Sequence, residues 1–323
     1  MFDTLNIALF GDLHGRLLLS FWLGKRWEEE HGEVLDYALC VGDAGVYRSV
    51  HAMDKASRRW AEKFPEELGF SKFFMDIAGG RIVENPLAAQ VLDQVGFDLL
   101  FVPGNHEEHP YLARLQDEFA RSAEVPIAVD TDWEGLAAGR YAEGQFPGFG
   151  RIKVLPQGKE VLLDGPADKK SDWEPAFQAS LVALNGIERY TPEDAWSGRG
   201  LAEADVLLTH DSYAGRFRDG DFPERLETAG SQRLLDYIRR TGPRRHFSGH
   251  HHRFCPEVLV NNDHGKVTRS IGLNQVMFRD KGEPITQGSF GILRVRESGD
   301  STFEVVRDEW YKRLRYSQVS AFM

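Results

Sequence analysis

The chain has 323 residues, 41% hydrophobic and 28% charged, ordinary proportions for a soluble globular protein with one large core or two small ones. Its formal net charge of −11 argues against a general nucleic-acid coat protein, which gains affinity by neutralising many phosphates, but leaves room for a local basic patch. No apolar run approaches the roughly 18 residues of a membrane span, and no basic segment followed by an apolar leader is visible. Cys40 and Cys255 sit in apolar, strand-like surroundings and read as small buried residues, not as a disulfide framework, which fits a cytoplasmic protein.

A first strand is expected over residues 6–10, a short apolar run halted by GDLHGR. Residues two apart on an extended chain share a side, so Asp12 and His14 can face one centre. Helical periodicity follows over residues 17–30, and a second strand over 37–41 stops at Gly42-Asp43. This alternation predicts an α/β sheet of parallel strands, with ligands gathered beyond the strands' carboxyl ends. Residues 46–97 read as a long, mostly helical insertion in which Trp60, Phe64, Phe70, Phe73 and Phe74 make a local core. A third strand over 98–102 ends in PGNHEEH, and an amphipathic helix is expected over 111–120.

From residue 126 the texture changes to short strands and glycine-rich turns. Residues 153–155 and 161–163, joined through Gln157-Gly158-Lys159, read as a hairpin, and 179–185 as another strand. Residues 164–174 and 190–200 read as polar surface loops. A fourth motif-bearing strand over 205–208 ends at Thr209-His210-Asp211, a helix covers 231–240, and a fifth strand over 244–248 runs into SGHHHRF. On an extended backbone His250 and His252 would aim both imidazoles at one point, with His251 turned away. Further strands occupy about 267–308, including a hairpin within 289–306. No repeat or linker marks a boundary, so one domain over residues 1–323 is expected, carrying the insertion at about 46–97.

Five strands therefore end in metal-capable groups: Asp12 with His14, Asp43, Asn105, His210, and His250 with His252. Each alone is ordinary turn chemistry. Five in series, each after an apolar run, make a metal site the simpler reading. Imidazole suits zinc, iron, copper and nickel, and carboxylates widen the range toward manganese.

The ordered set GDLHG, GD, GNHE, TH and GHHH resembles the calcineurin-like metallophosphoesterase superfamily over residues 11–252. The resemblance implies a four-layer α-β-β-α sandwich of two mixed sheets flanked by helices. It implies two divalent metal ions (manganese, iron or zinc), with Asp12, His14, Asp43 and His252 around one. Asp43 would bridge to the second, completed by Asn105, His210 and His250. The implied reaction is phosphate-ester hydrolysis by a metal-activated hydroxide. Two cations about 3.5–4 Å apart lower a water's pKa toward roughly 7 and neutralise phosphate oxygens. His106 is implied to face the substrate, stabilising the phosphate or protonating the leaving oxygen. Glu107 is expected to hold His106 or Asn105 by a hydrogen bond. His31, His51, His246 and His264 belong to no motif and read as surface or structural histidines, while His109 stays open.

Serine/threonine protein phosphatases share GDLHG and GNHE, but they follow the second motif with Asp-Arg-Gly, where this chain has Asp43-Ala44-Gly45, and they lack the late GHHH. VGDAGVYRS with its following insertion, LLTHDS, HFSGHHHRF and SIGLNQV are similar to RNA lariat debranching enzymes. The chain departs from those at Asp12, where many eukaryotic members carry cysteine, and in lacking their long extra C-terminal region. The expectation is a phosphodiesterase acting on a phosphate ester, with nucleotide or nucleic-acid derived esters among the candidates. A protein phosphatase and a non-catalytic metal-binding scaffold are the alternatives. Oligomeric state is left open. Arg239, Arg240, Arg244 and Arg245 form a basic run, but Arg244 begins the strand that leads to His250, roughly 20 Å away at about 3.3 Å per residue. Arg16, Arg48 and Arg253 follow metal motifs and are expected to contact phosphate, which a planar guanidinium binds in bidentate fashion.

Overall fold

A computed structural model describes residues 4–47, 50–70, 75–78, 81–113, 127–130, 141–144, 151–166, 175–198, 203–217 and 229–323. Its strands, in chain order, are β1 (Thr4–Phe10), β2 (Tyr37–Cys40), β3 (Met75–Ala78), β4 (Arg81–Glu84), β5 (Asp98–Phe101), β6 (Ile127–Asp130), β7 (Tyr141–Gly144) and β8 (Ile152–Val154). They continue with β9 (Glu160–Asp164), β10 (Gln178–Leu184), β11 (Val206–Thr209), β12 (Arg245–Ser248), β13 (Cys255–Asn261), β14 (Val267–Gly272), β15 (Phe290–Arg296) and β16 (Ser301–Val305). Two six-stranded sheets carry the fold, ordered β16-β15-β1-β2-β5-β8 and β13-β14-β12-β11-β10-β9. Both are mixed: β1, β2, β5 and β8 run parallel, β15 is antiparallel to β1, and β16 is antiparallel to β15. In the second sheet β10, β11, β12 and β14 are parallel between antiparallel β9 and β13.

Period-two alternation on strands apolar on both faces explains the layering. Along β1, Leu5, Ile7 and Leu9 enter a core with Leu181, Val206, Leu208 and Phe247 of the other sheet. Ala8 and Phe10 instead face α1 (Leu17–His31), packing with Leu17, Phe21 and Trp27. On the far side, Leu184 and Leu207 pack against Leu234 and Ile238 of the helix Gln232–Thr241. The result is the expected helix–sheet–sheet–helix sandwich. Each large side chain so buried contributes about 1.5–3 kcal/mol.

The expected strands 6–10, 37–41, 98–102, 205–208 and 244–248, and the hairpin within 289–306, are present to within two residues. Two expectations need correction. Residues 152–154 and 160–164 do not pair with each other: β8 pairs with β5 in one sheet and β9 with β10 in the other, so their connection crosses between sheets. A glycine turn between two apolar runs encodes a reversal of direction but not the partner of each edge. The insertion is also less helical than expected. It holds α2 (Lys55–Ala61), two 3₁₀ turns and the helix Pro86–Leu92, but also the antiparallel pair β3–β4. The helix expected over 111–120 lies mostly outside the described residues.

Candidate metal centre

The loops leaving β1, β2, β5, β11 and β12 bring one set of side chains together from both sheets. Ligand-capable atoms of Asp12, His14, Asp43 and His252 lie within 4.8 Å of one another, and so do those of Asp43, His210 and His250. Asp43 belongs to both groups. His14 Nε2 is 3.2 Å from His252 Nε2 and 3.9 Å from Asp43 Oδ2, and His252 Nε2 is 3.3 Å from Asp12 Oδ2. In the second group His210 Nε2 is 2.9 Å from Asn105 Oδ1 and 3.4 Å from Asp43 Oδ1.

Unusual backbone produces this convergence. His14 (φ 45°), Asp43 (φ 44°), His250 (φ 66°) and His252 (φ 50°) occupy the left-handed region, which costs a non-glycine residue free energy and clusters at functional sites. An extended chain would aim His250 and His252 at one point. Instead the chain bends, and the two imidazoles join different groups. Glycines allow the loops to close: a Cβ on Gly104 would strike Asp43, and one on Gly249 would strike the Asp12 carboxylate.

The electrostatics suit cations. Burial alone would raise the Asp12 carboxyl, but the bond from His252 and the charges of His210 and His252 hold it below the usual range. Burial likewise opposes ionisation of Asp43, and His210, His14 and His106 overcome it. Burial would lower His14, yet the Glu67 carboxylate 3.2 Å from its Nδ1 raises it to about 9. Burial and then His210 push His250 down to about 4. Asp43 Oδ2 is buried and makes no hydrogen bond among the described residues. A buried carboxylate oxygen without a partner, faced by imidazole nitrogens from both sheets, is a donor set that fits divalent cations.

His106 stands beside these groups. Its backbone N–H donates to Asp43 Oδ1 at 2.8 Å, and its ring lies 5.7 Å from that of His14. Its Nδ1 is 2.7 Å from Ser57 Oγ and 3.3 Å from Asp54 Oδ2, while the side chain stays 25% exposed. Asp54 also caps α2, accepting from the N–H groups of Ala56 and Ser57. That Asp-x-x-Ser cap is readable in sequence; its reach to His106 is not. Glu67 behind His14 carried no sequence signal. Asp211 does carry one, directly after His210, and its Oδ1 lies 3.1 Å from His251 Nε2.

Glu107 does not hold its neighbours as expected. Its carboxylate accepts from Ala44 N–H at 2.8 Å and Val46 N–H at 2.6 Å, pinning the Asp43 loop, and burial followed by Asp43 raises it to about 8. Arg16 is buried, and its Nη1 donates to the carbonyls of Leu13 and His14. It braces the first loop from behind, so the expectation of a direct phosphate contact is not met there. Arg253 is exposed beside His252, and Arg48 lies outside the described residues. His109, left open, stacks on Tyr190 with ring centroids 4.2 Å apart.

The sequence profile of the calcineurin-like phosphoesterases matches residues 5–254. The chain belongs to the calcineurin-like phosphoesterase family. The family implies hydrolysis of phosphoric esters with two divalent metal ions, and the two ligand groups are the residues that would hold them. A lariat debranching enzyme of Arabidopsis thaliana is 25% identical over 324 residues, covering 94% of this chain. The phosphoesterase spans 66% of that relative's length. Among solved structures, a purple acid phosphatase from yellow lupin (Lupinus luteus) aligns with a TM-score of 0.39 at 11% identity, covering 97% of this chain and 53% of that one. A phosphatase of Mycoplasma pneumoniae aligns with a TM-score of 0.37 at 10% identity, covering 99% and 100%. Among the described residues no helix is long and apolar enough to cross a membrane.

Proposed function

We propose that this phosphoesterase is a dinuclear phosphodiesterase whose substrate is a nucleotide or nucleic-acid diester. The observation that carries the dinuclear reading is Asp43, shared between two ligand groups and bearing a buried oxygen with no hydrogen-bond partner among the described residues. Asp12, His14, Asp43 and His252 would hold one ion, and Asp43, Asn105, His210 and His250 the other. When bound, the ions supply positive charge that favours deprotonation of a water and neutralises phosphate oxygens.

The remaining work falls to the chain's own residues. Asn105 adds a neutral oxygen, keeping the site from becoming too anionic for a phosphate. His106, with one ring nitrogen engaged by Ser57 and Asp54, presents its other side to the site as donor to the leaving oxygen or to the phosphate. Glu107 and Arg16 hold the Asp43 and His14 loops from behind. Arg253, exposed at the rim, is our candidate phosphate contact. The diester preference draws support from the lariat debranching relative.

The test is turnover of mono- and diesters, including 2′,3′-cyclic and 2′,5′-linked nucleotides, by protein supplemented with manganese, iron or zinc. Faster turnover of nucleotide diesters than of matched monoesters is expected. Monoester turnover exceeding that of every diester would reverse the preference.

A further inference from the structure

A cavity of about 540 Å³ is lined by no residue of the two metal groups. Its walls come from residues 63–66 of the insertion, the turn at 278–281 and the C-terminal segment 316–323. Four cationic side chains line it, Arg16, Lys63, Arg279 and Lys281, against two anionic ones, Glu66 and Asp280. In a chain of net charge −11 this is a local excess of positive charge.

Two buried charged groups in the wall have unsatisfied atoms. Arg16 is only 3% exposed, and its Nε makes no hydrogen bond among the described residues. Glu66 accepts from the Tyr316 hydroxyl through Oε1 at 3.1 Å, but its buried Oε2 also has no partner there. Buried polar atoms are nearly always satisfied, so each such atom calls for an explanation. Together they describe a ligand with an anionic acceptor for the cations and a hydroxyl donor for the carboxylate. Ring surface completes the description: Phe64 and Tyr316 both line the cavity, with Lys281 over the Tyr316 ring at 5.1 Å.

We propose that this cavity binds a nucleotide. Its phosphate meets Lys63, Arg279 and Lys281, a sugar hydroxyl donates to Glu66 Oε2, and its base lies against the aromatic rings. The volume falls within the range of small-molecule sites. Guanidinium and ammonium groups bind phosphate by charge-assisted hydrogen bonds, and a carboxylate accepting from a ribose hydroxyl is a recurrent arrangement. Because Arg16 holds the carbonyls of Leu13 and His14, the site abuts the back of the first metal loop. The proposal does not depend on the reaction assigned to that loop.

Photolabelling of the full chain with 8-azido-AMP, followed by peptide mapping, tests it. Label is expected in peptides carrying Phe64 or Tyr316, displaced by AMP but not by equal inorganic phosphate or adenosine. The exposed double variant Arg279→Glu/Lys281→Glu should lose about tenfold of that label, since reversing two cations removes the phosphate's partners. Circular dichroism and the unchanged melting temperature of the variant would show that it folds. Label confined to the metal loops, label unaffected by the double variant, or equal displacement by inorganic phosphate would each overturn the nucleotide site.

Discussion

Ser57 Oγ lies 2.7 Å from Nδ1 of His106, although 49 residues separate them. The insertion that leaves the sheet after β2 thus returns to orient a histidine that stands at the site outside both ligand groups. Asp54 tightens the arrangement, accepting from Ser57 Oγ and from the Tyr47 hydroxyl as well as facing the imidazole. The histidine is therefore held by a preorganised pair on a helix start.

His106→Ala should fold and retain its metals but lose about 10²–10⁴-fold in turnover, the range of a positioned acid or base. The loss should be larger on a nucleotide diester than on a nitrophenyl ester, whose leaving group needs no proton. Ser57→Ala should cost on the order of tenfold, as outer partners of a site do. Steady-state kinetics on both esters checks this; equal losses would assign His106 to phosphate positioning.

Asp43→Asn should strip the shared charge from both ligand groups, whereas His14→Ala should remove a neutral ligand from one. Metal analysis of purified variants is expected to show both ions depleted in the first and about one retained in the second. Near-normal metal content and turnover in Asp43→Asn would refute the bridging role.

Chelation should abolish turnover and lower the melting temperature together, because ions that bind only the folded state stabilise it by mass action, about 2.7 kcal/mol at a hundredfold excess over Kd. Stepwise return of manganese, iron or zinc should restore both. Activity and melting temperature that ignore the chelator would contradict a metal-dependent fold and reaction.

His246 supplies a pH-dependent term away from the ligands. Burial, then the charge of Arg216, lowers its pKa to about 3, and its ring bonds to Thr209 Oγ1 at 2.8 Å and Ser270 Oγ at 2.9 Å. A depressed histidine contributes stability that is complete above its unfolded value of about 6.5 and is lost as pH falls toward 3. Wild-type protein should lose stability, on the order of a few kcal/mol, between those limits. His246→Gln should be less stable at pH 7 but flatter over the same window in denaturant titrations. An equally steep acid slope in the variant would place the titrating group elsewhere.

The order of apolar runs and the residue types at their ends are local properties, so the sequence alone located the five motif strands and the metal-capable residues that follow them, while the sandwich class was implied by the family resemblance. His246, outside every motif, read as a surface or structural histidine, and only the fold places it in the interior. What needed the fold was anything decided by partners distant in sequence. The pairing of β8 and β9 depends on which sheet edge each run meets, and the turn between them encodes neither. An extended chain would aim His250 and His252 at one point, whereas their left-handed backbone sends them to different groups. Arg16 follows the first motif by two residues, yet the helix start turns its guanidinium back onto the loop carbonyls. Ser57, Asp54 and Glu67 acquire their roles through contacts spanning about fifty residues, and no spacing rule covers such distances. Periodicity reports which face of an element is buried; only packing reports what that face meets.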